Sequence, residues 1–237
     1  MAYKKRAENR GFEETRPIEA KVGVIARADG SAYFKIGNTA AYAAVYGPRN
    51  LYPRFLQNPQ KGILRCNYNM MPFSGTGERV RPGNSRRGRE ISLVTEKALL
   101  PVLDLEEFPN SVVDVFIELP QTAAGSRCAG ICAASMALAD AGLAMKDLVC
   151  AVSVGKVDDK LVVDLDSSEE SYEEGNVADI PVAMLPNSEQ ITLLQMDGKV
   201  TKDELKKVLE LAKKACKKIY EIQKDALKNK YAVEKVL

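Results

Sequence analysis

Gln121-Thr122-Ala123-Ala124-Gly125-Ser126-Arg127 is the stretch on which the interpretation of this chain depends. A strand-like run, Val112 to Leu119, precedes it, and a pattern typical of a helix begins at Ser126. Gly125 permits unusual backbone angles, Ser126 can cap the helix, and the free amides of a first helical turn attract an anion. Arg127 adds a planar, permanently charged group that suits phosphate. The stretch predicts a phosphate site, with an ordinary strand-to-helix turn as the alternative.

Composition bounds the kind of protein. The chain has 237 residues, 46% of them hydrophobic, with 34 basic and 32 acidic side chains and a net charge of +2. It is long enough to bury a sizeable core, and its overall charge does not by itself indicate a nucleic-acid partner. No run approaches the roughly 18 apolar residues of a membrane helix, and Met1–Asn9 lacks the features of a signal peptide. We therefore expect a cytoplasmic protein with no membrane segment.

Two residue types limit the chemistry. The sequence contains no histidine, which excludes Ser-His-Asp and Cys-His mechanisms and the HExxH zinc site. Any general acid or base must therefore be Asp, Glu, Lys, Tyr or Cys. The five cysteines are odd in number and lack the paired CxxC spacing of a zinc site, so we expect small buried side chains in a reducing compartment.

Hydrophobic patterns predict a mixed α+β chain. Strands are predicted at 20–27, 31–36, 40–46, 62–70, 112–119, 148–156, 161–165, 180–185 and 191–196, and helices at 86–103, 126–141 and 201–230. Turn signals between the first three strands indicate an antiparallel meander. Ser85 and Thr201 are placed to cap two of the helices, and Glu204 completes a capping box. Strand-rich blocks followed by a helix occur twice, so we expect two similar βα halves around the central strand and helix.

The segment 79–89 concentrates positive charge. It holds five arginines and neither a lysine nor an acidic residue: Arg79, Arg81, Arg86, Arg87 and Arg89. Three of them fall in the first turn of the predicted helix 86–103, where cations oppose the helix dipole, so a functional reason for keeping them is indicated. Arginine makes fork-like contacts with phosphate. The segment predicts an anion-binding surface, with a solvated charge run as the alternative.

The loop 49–61 combines arginines with aromatic rings, such as Arg54 with Tyr52 and Phe55. Cations interleaved with rings can hold phosphates and stack on unpaired bases. A plain exposed loop is the alternative.

Asp179 stands where the chain passes from an acid-rich segment into the apolar strand 180–185. A carboxylate at such a strand end, near arginines, can act as a general acid or bind a divalent cation. A solvated acid is the alternative. An anion-binding turn, an arginine cluster and a carboxylate, without a nucleophile-base pair, favour phosphoryl transfer with phosphate itself as a reactant.

Short motifs along nearly the whole chain resemble the ribonuclease PH family, and within it the active ribonuclease PH-like subunits of the archaeal exosome. The motifs are, in order, Arg16-Pro17-Ile18, Ala28-Asp29-Gly30-Ser31, Gly37-Asn38-Thr39, Ala43-Ala44-Val45-Tyr46-Gly47-Pro48-Arg49, Met71-Pro72-Phe73-Ser74, Glu78-Arg79, Ser85-Arg86-Arg87, Ala124-Gly125-Ser126-Arg127, Ala139-Asp140-Ala141-Gly142, Ala178-Asp179-Ile180-Pro181-Val182-Ala183-Met184 and Leu194-Gln195-Met196-Asp197-Gly198. The resemblance implies a single ribonuclease PH-type domain over 1–237, with mixed sheets packed around central helices. Residues 1–17 are charged and predict an arm lying on another surface, ahead of a core at 18–231, with a frayed terminus as the alternative.

The resemblance also implies an activity. Inorganic phosphate would attack the last phosphodiester of single-stranded RNA and release a nucleoside diphosphate, with RNA tailing as the reverse reaction. The implied roles are phosphate binding by Gly125, Ser126 and Arg127, general acid or metal-linked carboxylate at Asp179, and RNA binding by Arg86, Arg87, Arg89 and Arg54. A weakly held Mg²⁺ is expected at Asp179 and Glu173, bound mostly through water and phosphate.

The implied partners are an inactive ribonuclease PH-like paralogue, alternating with this chain in a hexameric ring, and RNA-binding cap subunits. Edge strands and the arm are where we expect the subunit contacts. Two positions depart from the family pattern. Ala123 replaces an acid that usually lies two residues before Gly125, and Glu173 stands where relatives place a second acid, six residues before Asp179. A catalytically silent RNA-binding ring subunit and a homo-oligomeric, phosphate-dependent tRNA-trimming ribonuclease therefore stay open as alternatives.

Overall fold

The computed structural model describes residues 3, 5–6, 9–81, 83, 85–173 and 175–232. These residues form nine strands, numbered β1 to β9 along the chain: Ile18–Val22, Gly30–Ile36, Thr39–Asn50, Ile63–Met70, Ser111–Gln121, Cys150–Val157, Lys160–Val163, Val177–Leu185 and Gln190–Leu194. The α-helices are α1 Arg86–Leu99, α2 Ser126–Asp140, α3 Ser167–Glu170 and α4 Lys202–Tyr231. The predicted α+β class is confirmed. Among the described residues, no helix has the length and apolarity that crossing a membrane requires.

The first sheet has the strand order β1-β2-β3-β5-β4. The meander of β1, β2 and β3 is antiparallel, as predicted, and β4 pairs with β5 in parallel. Alanines on β2 and β3 face α2, which lets the helix approach the sheet closely. Gly30 marks the tightest approach, because a Cβ atom there would lie 2.2 Å from the backbone nitrogen of Ala141.

The second sheet is antiparallel throughout, with the order β7-β6-β8-β9. Helix α2 contacts strands of both sheets, and α4 packs on the second sheet and on β1. Residues of both sheets therefore share one hydrophobic core. All five cysteines are free and buried, as expected, and burial raises the pKa of the Cys132 thiol to about 12, so these thiols serve packing rather than chemistry.

Several predicted boundaries differ from the structure. Strand β5 does not end before Pro120 but runs on to Gln121, because Pro120 lies beyond the last β4 pair and opposite a register shift in β3. No ladder hydrogen bond is needed from a residue in that position. Strand β1 ends at Val22 rather than at 27, and α1 ends at Leu99 and continues as a 3₁₀-turn. The cap at Ser85 and the capping box of α4 are confirmed.

The N-terminal arm packs on its own chain. The Arg6 side chain is buried and its Nε donates to Glu169 Oε1 at 2.7 Å, while its Nη atoms donate to the carbonyls of Val163 and Asp164. Tyr3 Oη donates to the same Glu169 carboxylate at 2.7 Å. The prediction that the arm lies on another surface is therefore wrong for these residues, because their acidic partners come from a segment about 160 positions away.

Candidate active site

The turn between β5 and α2 has the backbone of an anion site. Gly125 is the N-cap of α2 and adopts φ +67°, in the left-handed region that favours glycine. Because Gly125 has no side chain, the first backbone amides of the helix stay accessible to a ligand. The prediction that Ser126 caps the helix is wrong, since Ser126 is the first helical residue and Gly125 precedes it as the cap. A 15-residue helix adds its dipole to these amides.

A cavity of about 520 Å³ lies in front of this turn. It is lined by the turn residues Ala123, Gly125 and Ser126 and by residues of β8 and of the chain after β9. Six charged side chains line the cavity: Arg87, Glu90, Arg127, Glu170, Asp179 and Asp197. The cavity is thus built from α1, α2 and α3, the turn before α2, strand β8 and the chain after β9.

The structure brings five of the predicted site residues together. Gly125, Ser126, Arg127, Asp179 and Arg87 all line the same cavity. Three segments that are distant in sequence therefore meet in one place, as the hypothesis requires. Their roles toward phosphate and RNA stay predictions.

The Asp179 side chain is held on β8 at the edge of the cavity. The Ser153 hydroxyl donates a hydrogen bond to Asp179 Oδ1, and the backbone of Asp179 exchanges two hydrogen bonds of 2.8 Å with Asp197. Burial raises the pKa of Asp179, while the Ser153 hydrogen bond and the positive charge of Arg127 oppose that rise. A half-buried carboxyl group with a raised pKa can carry the proton that a leaving oxygen needs.

The Arg127 side chain is oriented from two directions. Its Nη1 donates to Gln195 Oε1, and Glu90 Oε1 lies 3.8 Å from the same nitrogen. Gln195 Nε2 in turn donates to Glu90 Oε1 at 3.2 Å. The guanidinium group is therefore held across the cavity by α1 and by the segment after β9.

Glu170 is an acid of the cavity that the sequence did not single out, as are Glu90 and Asp197. It ends the short helix α3, whose capping box joins Asp166 and Glu169. Although Glu170 as a whole residue is exposed, its carboxyl group is set into the cavity, and this desolvation, together with the charge of Asp179, raises the pKa of Glu170 to about 7. A hydrogen bond from the Gly125 backbone N–H opposes the rise. The Asp-x-x-Glu spacing at 166–169 was the available signal for this helix.

The second acid that lines the cavity is Glu170 rather than the predicted Glu173. Glu173 is exposed and does not line the cavity, whereas Glu170 does. The physical reason is α3, whose turn between β7 and β8 brings position 170 back toward Asp179, so that counting six residues from Asp179 misses the acid in the cavity.

Three of the predicted RNA-binding arginines lie outside the cavity. Arg86 and Arg89 are exposed in the first turn of α1, next to Arg87. Arg54 is exposed on the 3₁₀-turn 54–56, beside the Phe55 ring, which is 84% exposed. These side chains face solvent and are free to meet a ligand that extends beyond the cavity.

The cavity offers few ligands for a metal ion. Across the residues that the structure describes, no cluster of three or more His, Cys, Asp or Glu side chains could hold a metal. Glu170 and Asp179 are close enough for the charge of one to affect the pKa of the other. This donor set fits a Mg²⁺ ion that takes one or two carboxylates and completes its shell with water and phosphate.

Protein-family profiles match most of the chain. The profile of the 3′ exoribonuclease family, domain 1, matches residues 14–144, and that of domain 2 matches residues 147–215. The boundary falls in the connection between α2 and β6. The prediction of a single domain over 1–237 stays a prediction.

Similar proteins include the exosome complex component Rrp41 of Methanopyrus kandleri, which is 50% identical over 211 residues, covering 89% of this chain and 87% of the relative. The Rrp41 of Thermococcus kodakarensis is 53% identical over 210 residues, covering 89% and 83%. Among solved structures, rice (Oryza sativa) Rrp46 matches with a TM-score of 0.82 at 22% identity, covering 94% of this chain and 100% of that one.

A second structural match is the Archaeoglobus fulgidus exosome with RNA bound to the active site, with a TM-score of 0.77 at 23% identity, covering 92% of each chain. At such identities the two structures establish the fold. The family profiles and the relatives at about half identity confirm what the motifs predicted: this chain belongs to the ribonuclease PH family of 3′ exoribonucleases.

Proposed function

We propose that this chain is the catalytic, phosphorolytic subunit of an RNA exosome, which shortens single-stranded RNA from its 3′ end. One observation carries the proposal: a single cavity joins the anion-binding turn of α2 and Arg127 to the carboxyl group of Asp179. The sequence contains no histidine to activate a water or a side-chain nucleophile by the usual pairs. Phosphate, which is already a nucleophile, needs only to be bound and oriented.

In the proposed reaction, an oxygen of inorganic phosphate attacks the phosphorus of the last phosphodiester. A new P–O bond forms, the bond to the 3′ oxygen of the preceding nucleotide breaks, and the last nucleotide leaves as a nucleoside diphosphate. The amides of Gly125 and Ser126 and the Arg127 guanidinium hold the attacking phosphate. Asp179 donates its proton to the departing 3′ oxygen, which its raised pKa favours. The reverse sequence of steps adds nucleotides to RNA.

Glu170 is part of this site in the proposal. Glu170 lines the same cavity as Gly125, where phosphate would bind. With a pKa of about 7, Glu170 is protonated in a large fraction of molecules at neutral pH. The neutral form does not repel an incoming phosphate and can donate a hydrogen bond to it.

Magnesium would be held by Asp179 and Glu170 in their ionised forms, as the alternative to the proton-carrying forms described above, with the remaining positions taken by water and phosphate. Its contribution when bound is to neutralise negative charge on the phosphates. The exposed arginines Arg86 and Arg89, with Arg87 at the cavity and Arg54 on its loop, would contact the backbone of the RNA leading into the site.

The assembly is also proposed rather than observed. The relatives at about half identity are named as exosome components. By that relationship we expect this chain to alternate with an inactive ribonuclease PH-like paralogue in a hexameric ring, beneath RNA-binding cap subunits, in the cytoplasm.

Single-stranded RNA carrying a label near its 3′ end tests the proposal. The chain is incubated with it alone and with the paralogue, each with and without phosphate. Nucleoside diphosphates that appear only with phosphate and with the paralogue support the proposal. Phosphate-dependent products from this chain alone, with tRNA precursors preferred, indicate the homo-oligomeric tRNA-trimming alternative.

RNA binding without any product would overturn the catalytic role and favour the silent ring subunit, an alternative that Ala123 in place of the family's usual acid keeps open. The variant Ala123→Asp then provides the matched control. If the missing acid silences the site, Ala123→Asp gains activity, whereas our proposal expects wild-type turnover to be present already.

A further inference from the structure

The N-terminal arm reaches the back of the phosphate turn through one side chain, Arg16. This side chain is only 4% exposed. Its Nε and Nη2 donate to the two oxygens of the Asp164 carboxylate at 2.8 and 2.6 Å. Nη2 also donates to the backbone carbonyl of Ala124 at 3.2 Å. Arg16 thus joins the arm, the end of β7 and the turn that precedes α2.

The Ala124 carbonyl has a second donor from a different element. Thr39 Oγ1, at the start of β3 and fully buried, donates to Ala124 O at 2.7 Å and accepts from the Ala123 backbone nitrogen at 3.0 Å. Two buried side chains, from the arm and from β3, therefore fix the direction of one peptide carbonyl.

That carbonyl direction decides where the next amide points. The peptide between Ala124 and Gly125 is planar, so its N–H points opposite to its C=O. Arg16 and Thr39 bind the carbonyl from outside the cavity that Gly125 lines, so the Gly125 N–H, which points the opposite way, is turned toward that cavity. Because Gly125, at φ +67°, has no side chain, contacts with its sequence neighbours restrain its backbone angles only weakly.

The Asp164 side of the contact is itself firmly held. Asp164 is 1% exposed, accepts from the Arg16 backbone nitrogen at 2.7 Å, and adopts φ +57°, which is uncommon for a residue other than glycine. Its backbone carbonyl accepts from Arg6 at 2.7 Å. Arg16 is therefore anchored on a rigid point rather than on a mobile surface acid.

We propose that Arg16 is a positioning residue of the phosphate site, which acts with Thr39 to aim the Gly125 amide at the bound anion. This inference rests on the proposed function, since it assigns the turn to phosphate. It makes the arm a working part of the site and gives the Arg16-Pro17 motif a reason beyond packing.

The test measures phosphate binding and catalysis separately, on the full chain assembled with its paralogue. Arg16→Lys keeps the charge beside Asp164 but loses the rigid fork that also reaches Ala124. Thr39→Val removes the second donor with little change in volume. For both variants we expect the dissociation constant of inorganic phosphate, from thermal-shift titration without RNA, to rise on the order of tenfold to a hundredfold. The KM for phosphate should rise with it, while kcat at saturating phosphate changes less and RNA affinity is unchanged.

Arg65→Lys is the control, because it weakens a two-point arginine contact, with Asp114, that involves neither Ala124 nor Asp164. Wild-type phosphate binding in Arg16→Lys and Thr39→Val, or the same loss in Arg65→Lys, would overturn the inference. If Arg16→Lys does not fold, Thr39→Val decides. Failure of the proposed function has a different signature, namely wild-type chain that binds phosphate but forms no phosphate-dependent product.

Discussion

At the scale of single residues, the site is defined by two acids with different surroundings. Asp179 accepts a hydrogen bond from the Ser153 hydroxyl and feels the charge of Arg127. The Glu170 carboxyl group lines the same cavity, where burial removes part of its solvent. Burial raises both pKa values, and the charge of Asp179 raises that of Glu170 further, while the charges of Arg16 and Arg87 oppose that rise. Each acid therefore has its own test.

The variant Asp179→Asn should lose turnover but still bind RNA. The amide preserves size and the hydrogen bond from Ser153 but has no proton to give to the leaving oxygen. We expect kcat to fall by about 10² to 10⁴, with RNA affinity near the wild-type value in a gel-shift titration. A variant that retains wild-type kcat would show that another group protonates the leaving oxygen.

The variant Glu170→Gln should change how stability depends on pH. The carboxyl pKa is about 7 in the folded chain against 4.5 for an unperturbed group, so the unfolded state ionises first as the pH rises. Wild-type stability therefore falls between these two pH values and stays low above the upper one. We expect Glu170→Gln to match the wild type at low pH and to be more stable than it above about pH 7.

Urea unfolding without phosphate, at pH values on either side of that window, measures the effect. A stability difference between Glu170→Gln and wild type that does not vary with pH would contradict the assignment. Glu173→Gln, at the exposed acid outside the cavity, is the control.

At the scale of secondary-structure elements, helix α2 carries the anion site at one end and an ordinary glycine stop at the other. Gly125 and Gly142 flank it with φ +67° and +79°, and an added Cβ atom would meet no close backbone at either position. Both positions thus impose the same kind of conformational cost on alanine, but only Gly125 lies at the cavity.

The pair Gly125→Ala and Gly142→Ala separates conformation from function. Each substitution should lower the free energy of unfolding by about 1–2 kcal/mol, the cost of a left-handed alanine. Only Gly125→Ala should weaken phosphate binding, because only there does the turn face the anion. Equal phosphate affinity in the two variants would remove the turn from the phosphate site.

The first turn of α1 gives a prediction about RNA. Replacing Arg86 and Arg87 by Gln should weaken RNA binding and flatten its dependence on salt by at most about 1.4 in slope, or 0.7 for each lost contact with single-stranded phosphate. The helix itself should not suffer, since two cations are removed from the positive end of its dipole. Arg65→Gln, at an exposed arginine already paired with Asp114, is the control and should leave the slope unchanged.

Elements with local signals were predictable from the sequence. The capping box of α4 and the cap of α1 rest on residues three positions apart, and the meander rests on neighbouring turns. The predicted end of β5 lies too early in the chain. A proline breaks a strand only where the neighbouring strand needs its amide for a ladder hydrogen bond, and the residues around Pro120 do not reveal how β3 pairs with β5. Helix α3 had a local signal at Asp166 and Glu169, which was masked by the run of acids around it.

At the scale of the whole molecule, arginines near the start of the chain bind residues 163–169, far along the sequence. Arg6 and Glu169 form a buried ion pair at 2.7 Å, with further arginine contacts to the backbone after β7. No sequence pattern predicts a pair more than 160 positions apart, which is why the arm was assigned to another surface. The three motifs of the site were predictable as separate pieces, whereas their closure around Glu170 and Arg16 depends on the tertiary fold.

Breaking the Arg6 pair should be costly. Arg6→Met leaves the Glu169 carboxylate buried without its main charged partner, so we expect a loss of about 3–5 kcal/mol in the free energy of unfolding, measured by urea titration. Lys214→Met, which breaks an exposed pair with Glu13, should change stability by less than about 1 kcal/mol. A small effect of Arg6→Met would mean that the arm contributes little to stability.

The anchoring of the arm has a consequence for how the chain is made. Arg6 and Arg16 leave the ribosome first, but Asp164 and Glu169 follow about 150 residues later, and Asp197 of the cavity later still. A nascent chain holds the phosphate turn before it holds either acid that completes the site. The proposed site is therefore complete only when synthesis has passed Asp197.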